Sequence, residues 1–156
     1  MKVLLQQYEL VQGSRNVMLD FVDNQVKQQL TTALNEFNGS TVRYLLVHTA
    51  NTYKHWLANF AMQQKLPFTE DAAMGNIAEI RSLYKVTDSI VAEFLERFGN
   101  DPDEQIMNTI GGKTLTLTPL QLFTHTITHE FHHKGQIMTM CRLLGHTPPD
   151  TDVIRS

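Results

Sequence analysis

Apolar side chains return at helical intervals along four stretches of this chain. Leu4, Tyr8, Val11, Met18, Phe21 and Val22 predict a first helix over roughly Val3–Val26, weakened early by Gly13-Ser14. Leu30, Leu34 and Phe37 make residues 27–39 either a short helical turn or an ordered loop. Ser40 as N-cap opens a second helix that runs to about Gln64, with Pro67 marking its exit. Asn76 as N-cap, with Glu79 three residues on as a capping box, opens a third. Its apolar face is Ile80, Leu83, Tyr84, Ile90, Phe94 and Leu95, and Gly99 ends it.

The period then changes. Ile110-Gly111-Gly112-Lys113 reads as a tight turn, and Thr114-Leu115-Thr116-Leu117 alternates like a strand, which predicts a small β-hairpin. The fourth helix has the clearest start: Thr118 as N-cap, Pro119 at the first helical position and Gln121 in the capping-box position. It runs to about Leu144, followed by Gly145 and Pro148-Pro149. The expected fold is all-α: a four-helix bundle with a small hairpin before the last helix, one domain over residues 1–156. The longer second connection is expected to hold an irregular or crossover element.

On a helical wheel the apolar residues of the fourth helix, from Leu120 and Phe123 to Cys141 and Leu144, spread widely, which predicts a central, largely buried helix. A polar stripe of His125, His129, His132, His133 and Gln136 crosses that surface. His129 and His133 are four apart and stack on one face, and so do His125 and His129. A lone histidine is more often hydrogen-bonded to its surroundings than bound to metal. Four within nine residues shift the balance, because imidazoles sharing an ion satisfy one another's lone pairs.

Two ligands leave a site incomplete, since catalytic zinc usually takes three protein ligands and keeps one position open. The best third candidate is His48 on the second helix, at the edge of a stripe of Leu45, Thr49, Tyr53, Trp56 and Phe60. His55, two turns on, is a fallback ligand or a lining residue, and His146 reads as a loop residue. Tyr44, Thr52, His55 and Gln136 project near the ligand stripes as candidate lining. Cys141 is read as core rather than nucleophile.

The length fits one domain, and 42% hydrophobic with 19% charged residues is globular composition rather than disorder. A net charge of −3 supplies no basic footprint for nucleic acid and no attraction to an anionic membrane. No stretch is apolar enough to span a bilayer, no secretory h-region follows Met1, and a single cysteine suits a reducing compartment; the expected location is the cytoplasm.

Leu45-Leu46-Val47-His48 with Trp56, the run from His125 to Ile137, and the Gly145…Pro148-Pro149-Asp150 exit resemble the signatures of the DinB-like (DinB/YfiT) metal-binding bundles. That resemblance covers nearly the whole chain and implies a four-helix bundle, often dimeric, with His48, His129 and His133 on one divalent metal, zinc or nickel. Members with known activity include S-transferases and isomerases that use a low-molecular-weight thiol. The resemblance therefore implies a metal- and thiol-dependent transferase or hydrolase acting on a small electrophile as a homodimer. The first helix and residues 27–39 match no motif, so no particular thiol is indicated.

Three other readings compete. His129-Glu130-Phe131-His132-His133 matches H-E-x-x-H, the zinc-protease motif with glutamate as general base. Against it, Gln136 and Thr139 stand where the longer motif needs Gly and His, no glutamate follows Glu130, and only 23 residues follow His133. Glu130 lies about 100° from His129 on the wheel and is read as a solvated charge, although it or His125 could relay protons. A di-iron carboxylate bundle needs a second Glu-x-x-His that the chain lacks. A metal-stabilised structural bundle would need a fourth ligand, for which His55, His125 and His132 are candidates.

Overall fold

The computed structural model describes residues 2–155. Four helices carry the fold: α1 (Lys2–Phe21), α2 (Val42–Tyr53), α3 (Ile77–Phe98) and α4 (Pro119–Leu143). A hairpin of β1 (Ile106–Ile110) and β2 (Lys113–Leu117) precedes α4. Its antiparallel register pairs Ile106 with Leu117 and Ile110 with Lys113. Gly111 and Gly112 turn it with φ of 56° and 76°, values that suit a two-residue hairpin turn and that side chains disfavour.

The caps decide where helices begin. Thr118 and Gln121 form the full capping box expected for α4, with Pro119 inside it. Asn76 caps α3 by accepting from the Glu79 amide, but the Glu79 carboxylate accepts from Gly75 N–H rather than closing the box. α2 is capped by Thr41, one residue after the expected Ser40: the Thr41 hydroxyl accepts from Tyr44 N–H. The predicted first and second helices continue past α1 and α2 as wider π-type turns, Val22–Val26 and Lys54–Ala61. Residues 27–39 contain two short 3-10 turns, Lys27–Thr31 and Asn35–Phe37.

Both α1 and α2 pack on α3 and on α4, so α1 and α2 face each other across the bundle's diagonal. The first connection and the hairpin-bearing third connection therefore cross the bundle. The second, expected to hold an irregular or crossover element, joins neighbours and is irregular chain with one 3-10 turn, Asp71–Ala73. α4 is less central than its wheel suggests. Leu120, His125, Thr128, His132 and Leu143 form an exposed face.

The core has two apolar halves. One gathers Met18, Leu46, Ile80 and Ile137, and the other Tyr8, Leu57, Phe94 and Phe123. Between them each helix contributes a buried polar residue: Arg15, Thr49, Thr87 and Glu130. Glu130 is only 3% exposed and Arg15 2%, so the reading of Glu130 as a solvated charge is wrong. The Arg15 Nε donates to Glu130 Oε1 at 2.7 Å and Nη2 to Oε2 at 2.8 Å, while the Tyr53 hydroxyl donates to Oε2 at 2.6 Å. Arg15 Nη1 donates to Asp88 Oδ1 at 2.7 Å, and its guanidinium lies 4.5 Å from the Tyr84 ring centre. Burial works to lower the Arg15 pKa, but the Glu130 charge and hydrogen bonds outweigh it and raise the value further. Among the described residues no buried side-chain nitrogen or oxygen lacks a partner. Behind this layer Lys134 donates to the Ser14 hydroxyl and the Thr151 carbonyl, which pins the C-terminal tail to α1 and α4.

Breaking one side of a buried pair leaves the other charge desolvated and unpaired. Arg15→Met or Glu130→Gln is expected to lower stability by about 3–5 kcal/mol in chemical denaturation, whereas Arg15→Met with Glu130→Met should lose less than either alone. Single variants within about 0.5 kcal/mol of the parent would contradict this account.

Candidate metal centre

Three imidazoles meet between α2 and α4. His48 and His129, 81 positions apart, bring their Nε2 atoms to 3.2 Å. The ring centres of His48 and His133 lie 4.8 Å apart, and those of His129 and His133 4.4 Å apart. One donor atom from each of the three lies within 4.8 Å of the others, close enough to hold a metal ion. Nitrogens at the ordinary zinc distance of about 2.0–2.1 Å stand about 3.3 Å apart across a tetrahedral edge, close to the His48–His129 separation. The donor set thus fits a borderline divalent ion that favours imidazole. Among the described residues no fourth histidine, cysteine or carboxylate joins the group.

Neighbouring side chains set the rings. Gln136 Oε1 lies 2.5 Å from His133 Nδ1, so that nitrogen carries the proton and Nε2 keeps its lone pair. Gln136 was expected to line a pocket and instead supports a ring. Tyr44 stacks on His48 with ring centres 5.9 Å apart. Burial lowers the His48 and His133 pKa values. His129 falls to about 4, through burial first and then the neighbouring imidazoles, His133 and His48 foremost. All three rings are therefore neutral near pH 7, the form that binds metal.

A cavity of about 480 Å³ opens onto His48 and His129. Tyr44, Thr52, His55 and His125 line it, the first three as expected. Neither His55 nor His125 belongs to the three-histidine group; the His125 ring centre is 5.7 Å from that of His129. His132 is exposed beside His133, and His146 bonds Gln29 far from the centre. Cys141 is fully buried core, its thiol pushed up to about 11 by that burial.

Glu130 sits between His129 and His133 in sequence but turns away from them, and both its oxygens are taken by Arg15 and Tyr53. The H-E-x-x-H pattern is thus present without an available general base. Sequence reasoning missed Arg15, although a charge on the apolar stripe of Tyr8, Val11, Met18 and Val22 could have signalled it. It also missed the cavity's outer wall. That wall is the segment after α2, held because the Asn51 and Asn59 amides each exchange two hydrogen bonds with it, at Thr69 and Leu66.

The family model described as the DinB family matches residues 1–156. Among solved structures, a DinB-like protein from Bacillus subtilis shares the fold with a TM-score of 0.62 at 17% identity. The match covers 92% of this chain and 97% of that one. No curated protein matches the chain.

In the metal-free chain the His129 imidazole should titrate near pH 4 by NMR. Its folded pKa lies below the ordinary 6.5, so protons favour the unfolded chain; its contribution to stability is complete above about pH 6.5 and lost as pH falls through about 4. A midpoint at or above 6.5 would refute this. Gln136→Leu should weaken zinc binding by roughly 10–100-fold with the helical spectrum unchanged.

Proposed function

The chain belongs to the DinB family, and from that premise we propose that His48, His129 and His133 hold one divalent ion, zinc or nickel, in an enzyme that bonds the sulfur of an intact low-molecular-weight thiol to a small electrophile as the thiol gives up its proton. The observation that carries this reading is the convergence of three neutral imidazoles from two helices at the mouth of a cavity. Three protein donors without a fourth among the described residues are the pattern of a reactive centre rather than a closed structural one. A divalent ion there supplies Lewis acidity, which makes a thiol or water more acidic.

The chain's own residues do the rest. Gln136 fixes the His133 tautomer, and Tyr44 limits the swing of His48. Trp56 and Phe68 give the cavity beside the histidines an apolar wall. His55 and His125, which make no side-chain hydrogen bond among the described residues, are the groups able to take a proton released from a thiol. The reading includes a homodimer, as the resemblance to the DinB-like bundles implies.

His48→Ala and His129→Ala should each lose stoichiometric zinc and thiol transfer while keeping the helical spectrum, because the core does not depend on the ion. Glu130→Gln should lose stability and gain no new chemistry. Zinc-dependent peptidase activity in the parent chain, or unfolding of both histidine variants, would overturn the proposal. Light scattering at tens of micromolar should report two chains per particle.

A further inference from the structure

The cavity beside the histidines offers a ligand few free hydrogen-bonding groups. Asn51 spends its side-chain amide on Thr69, and the Thr52 hydroxyl donates to the His48 carbonyl at 3.0 Å. The Thr69 hydroxyl accepts from Lys54 Nζ at 2.7 Å, and Asp71 is paired with Arg43 Nε at 3.2 Å. What remains unengaged on the wall is aromatic surface with its Tyr44 hydroxyl and Trp56 N–H, two imidazoles and one carboxylate. The surface comes from Tyr44, Trp56 and Phe68, and the carboxylate is Glu70. Trp56 meets His55 edge-on at 4.8 Å between ring centres and His125 at 5.3 Å, and Phe68 lies 5.8 Å from His55.

No lysine or arginine lines the cavity among the described residues. The nearest cations are already paired: Arg43 Nε donates to the Asp71 carboxylate, and Lys54 Nζ donates to the Thr69 hydroxyl and the Pro67 carbonyl. Burial lowers the His55 pKa, so that ring presents a face rather than a charge at neutral pH. Flat π-faces with a carboxylate at the rim attract planar apolar groups and cations, whereas an anion meets the Glu70 and Asp71 carboxylates and only neutral donors, the Tyr44 hydroxyl, the Trp56 N–H and the imidazoles.

We infer that this cavity binds an aromatic group that is neutral or positively charged, and that it discriminates against an anionic one of the same size. The group would be the body of the electrophile in the reaction proposed above; that role rests on the proposed function, whereas the binding itself does not. Phe68 and Trp56 grip the ring, and Glu70 faces the positive end. The volume of about 480 Å³ accommodates a single substituted ring with room to spare.

Trp56 is the only tryptophan, so intrinsic fluorescence reports this cavity directly. The full chain, stripped of metal by chelation, is titrated with benzyltrimethylammonium, benzyl alcohol and benzoate. The ammonium and the alcohol should saturate the Trp56 signal, and benzoate should bind at least about tenfold more weakly than the ammonium. Phe68→Ala should weaken the first two by roughly three- to tenfold; Phe68 is 53% exposed, so its loss should not disturb folding. Glu70→Gln should bring the ammonium and the alcohol within about twofold of each other. Benzoate binding as tightly as the ammonium, or all three probes indifferent to Phe68→Ala, would overturn the inference. Zinc content of the reconstituted chain separates the two proposals. Probe binding without zinc uptake refutes the function and supports the cavity; zinc uptake without aromatic binding refutes the cavity alone.

Discussion

The buried pair of Arg15 and Glu130 constrains this bundle more than any other contact. Two charges removed from water are tolerated only with near-complete hydrogen bonding, and the geometry that supplies it admits little sliding. α1 gives the guanidinium, α4 the carboxylate, α2 the Tyr53 hydroxyl and α3 the Asp88 oxygen. Apolar packing above and below could accept several registers, because hydrophobic contact is not directional. The polar layer ties the four helices together at one height.

That height also sets the metal-binding face. With Glu130 turned inward to Arg15, His129 lies one residue back and His133 three residues on. At 100° per residue these positions fall about 100° and 60° to the same side of Glu130. Both imidazoles therefore turn toward one flank of α4, where α2 brings His48. An identical spacing links His125 to His129, but no layer residue orients that pair toward a third donor, and His125 ends on the cavity wall. The glutamate inside the H-E-x-x-H pattern thus acts on the metal face through the rotation of its helix rather than as a base.

Helix order, the hairpin, the Thr118 cap and the histidine stripe were legible because each rests on local signals: periodicity, glycine at positive φ, and hydroxyl caps. The three converging histidines were legible for a different reason. Their spacing on α4 and the family resemblance together supplied a long-range contact that periodicity alone does not contain. Arg15 was not legible as the partner of Glu130 because their contact spans 115 positions and neither lies in a motif that names the other. The same limit hid the Asn51 and Asn59 straps, whose meaning depends on where the loop after α2 returns. The diagonal arrangement of α1 and α2 was hidden too, because amphipathic stripes say which face is buried and not which neighbour buries it.

The cavity's two ends differ in chemistry, and the difference follows from how each is built. At the inner end three neutral imidazoles would leave the charge of a bound cation uncompensated, because among the described residues no carboxylate shares the group and Glu130 is already paired with Arg15. At the outer end the loop carrying Phe68 and Glu70 presents aromatic surface and a negative rim. A ligand spanning the cavity would then meet a field that runs from positive to negative over its length, inside walls that screen it less than water does. Under the functional reading proposed here, such a field orients the bound molecule, with its electron-rich or ionisable end toward the histidines and its apolar or cationic end toward the loop. Orientation of this kind needs no dedicated hydrogen bonds, which is consistent with a cavity whose asparagine and threonine side chains are already engaged with other groups of the protein.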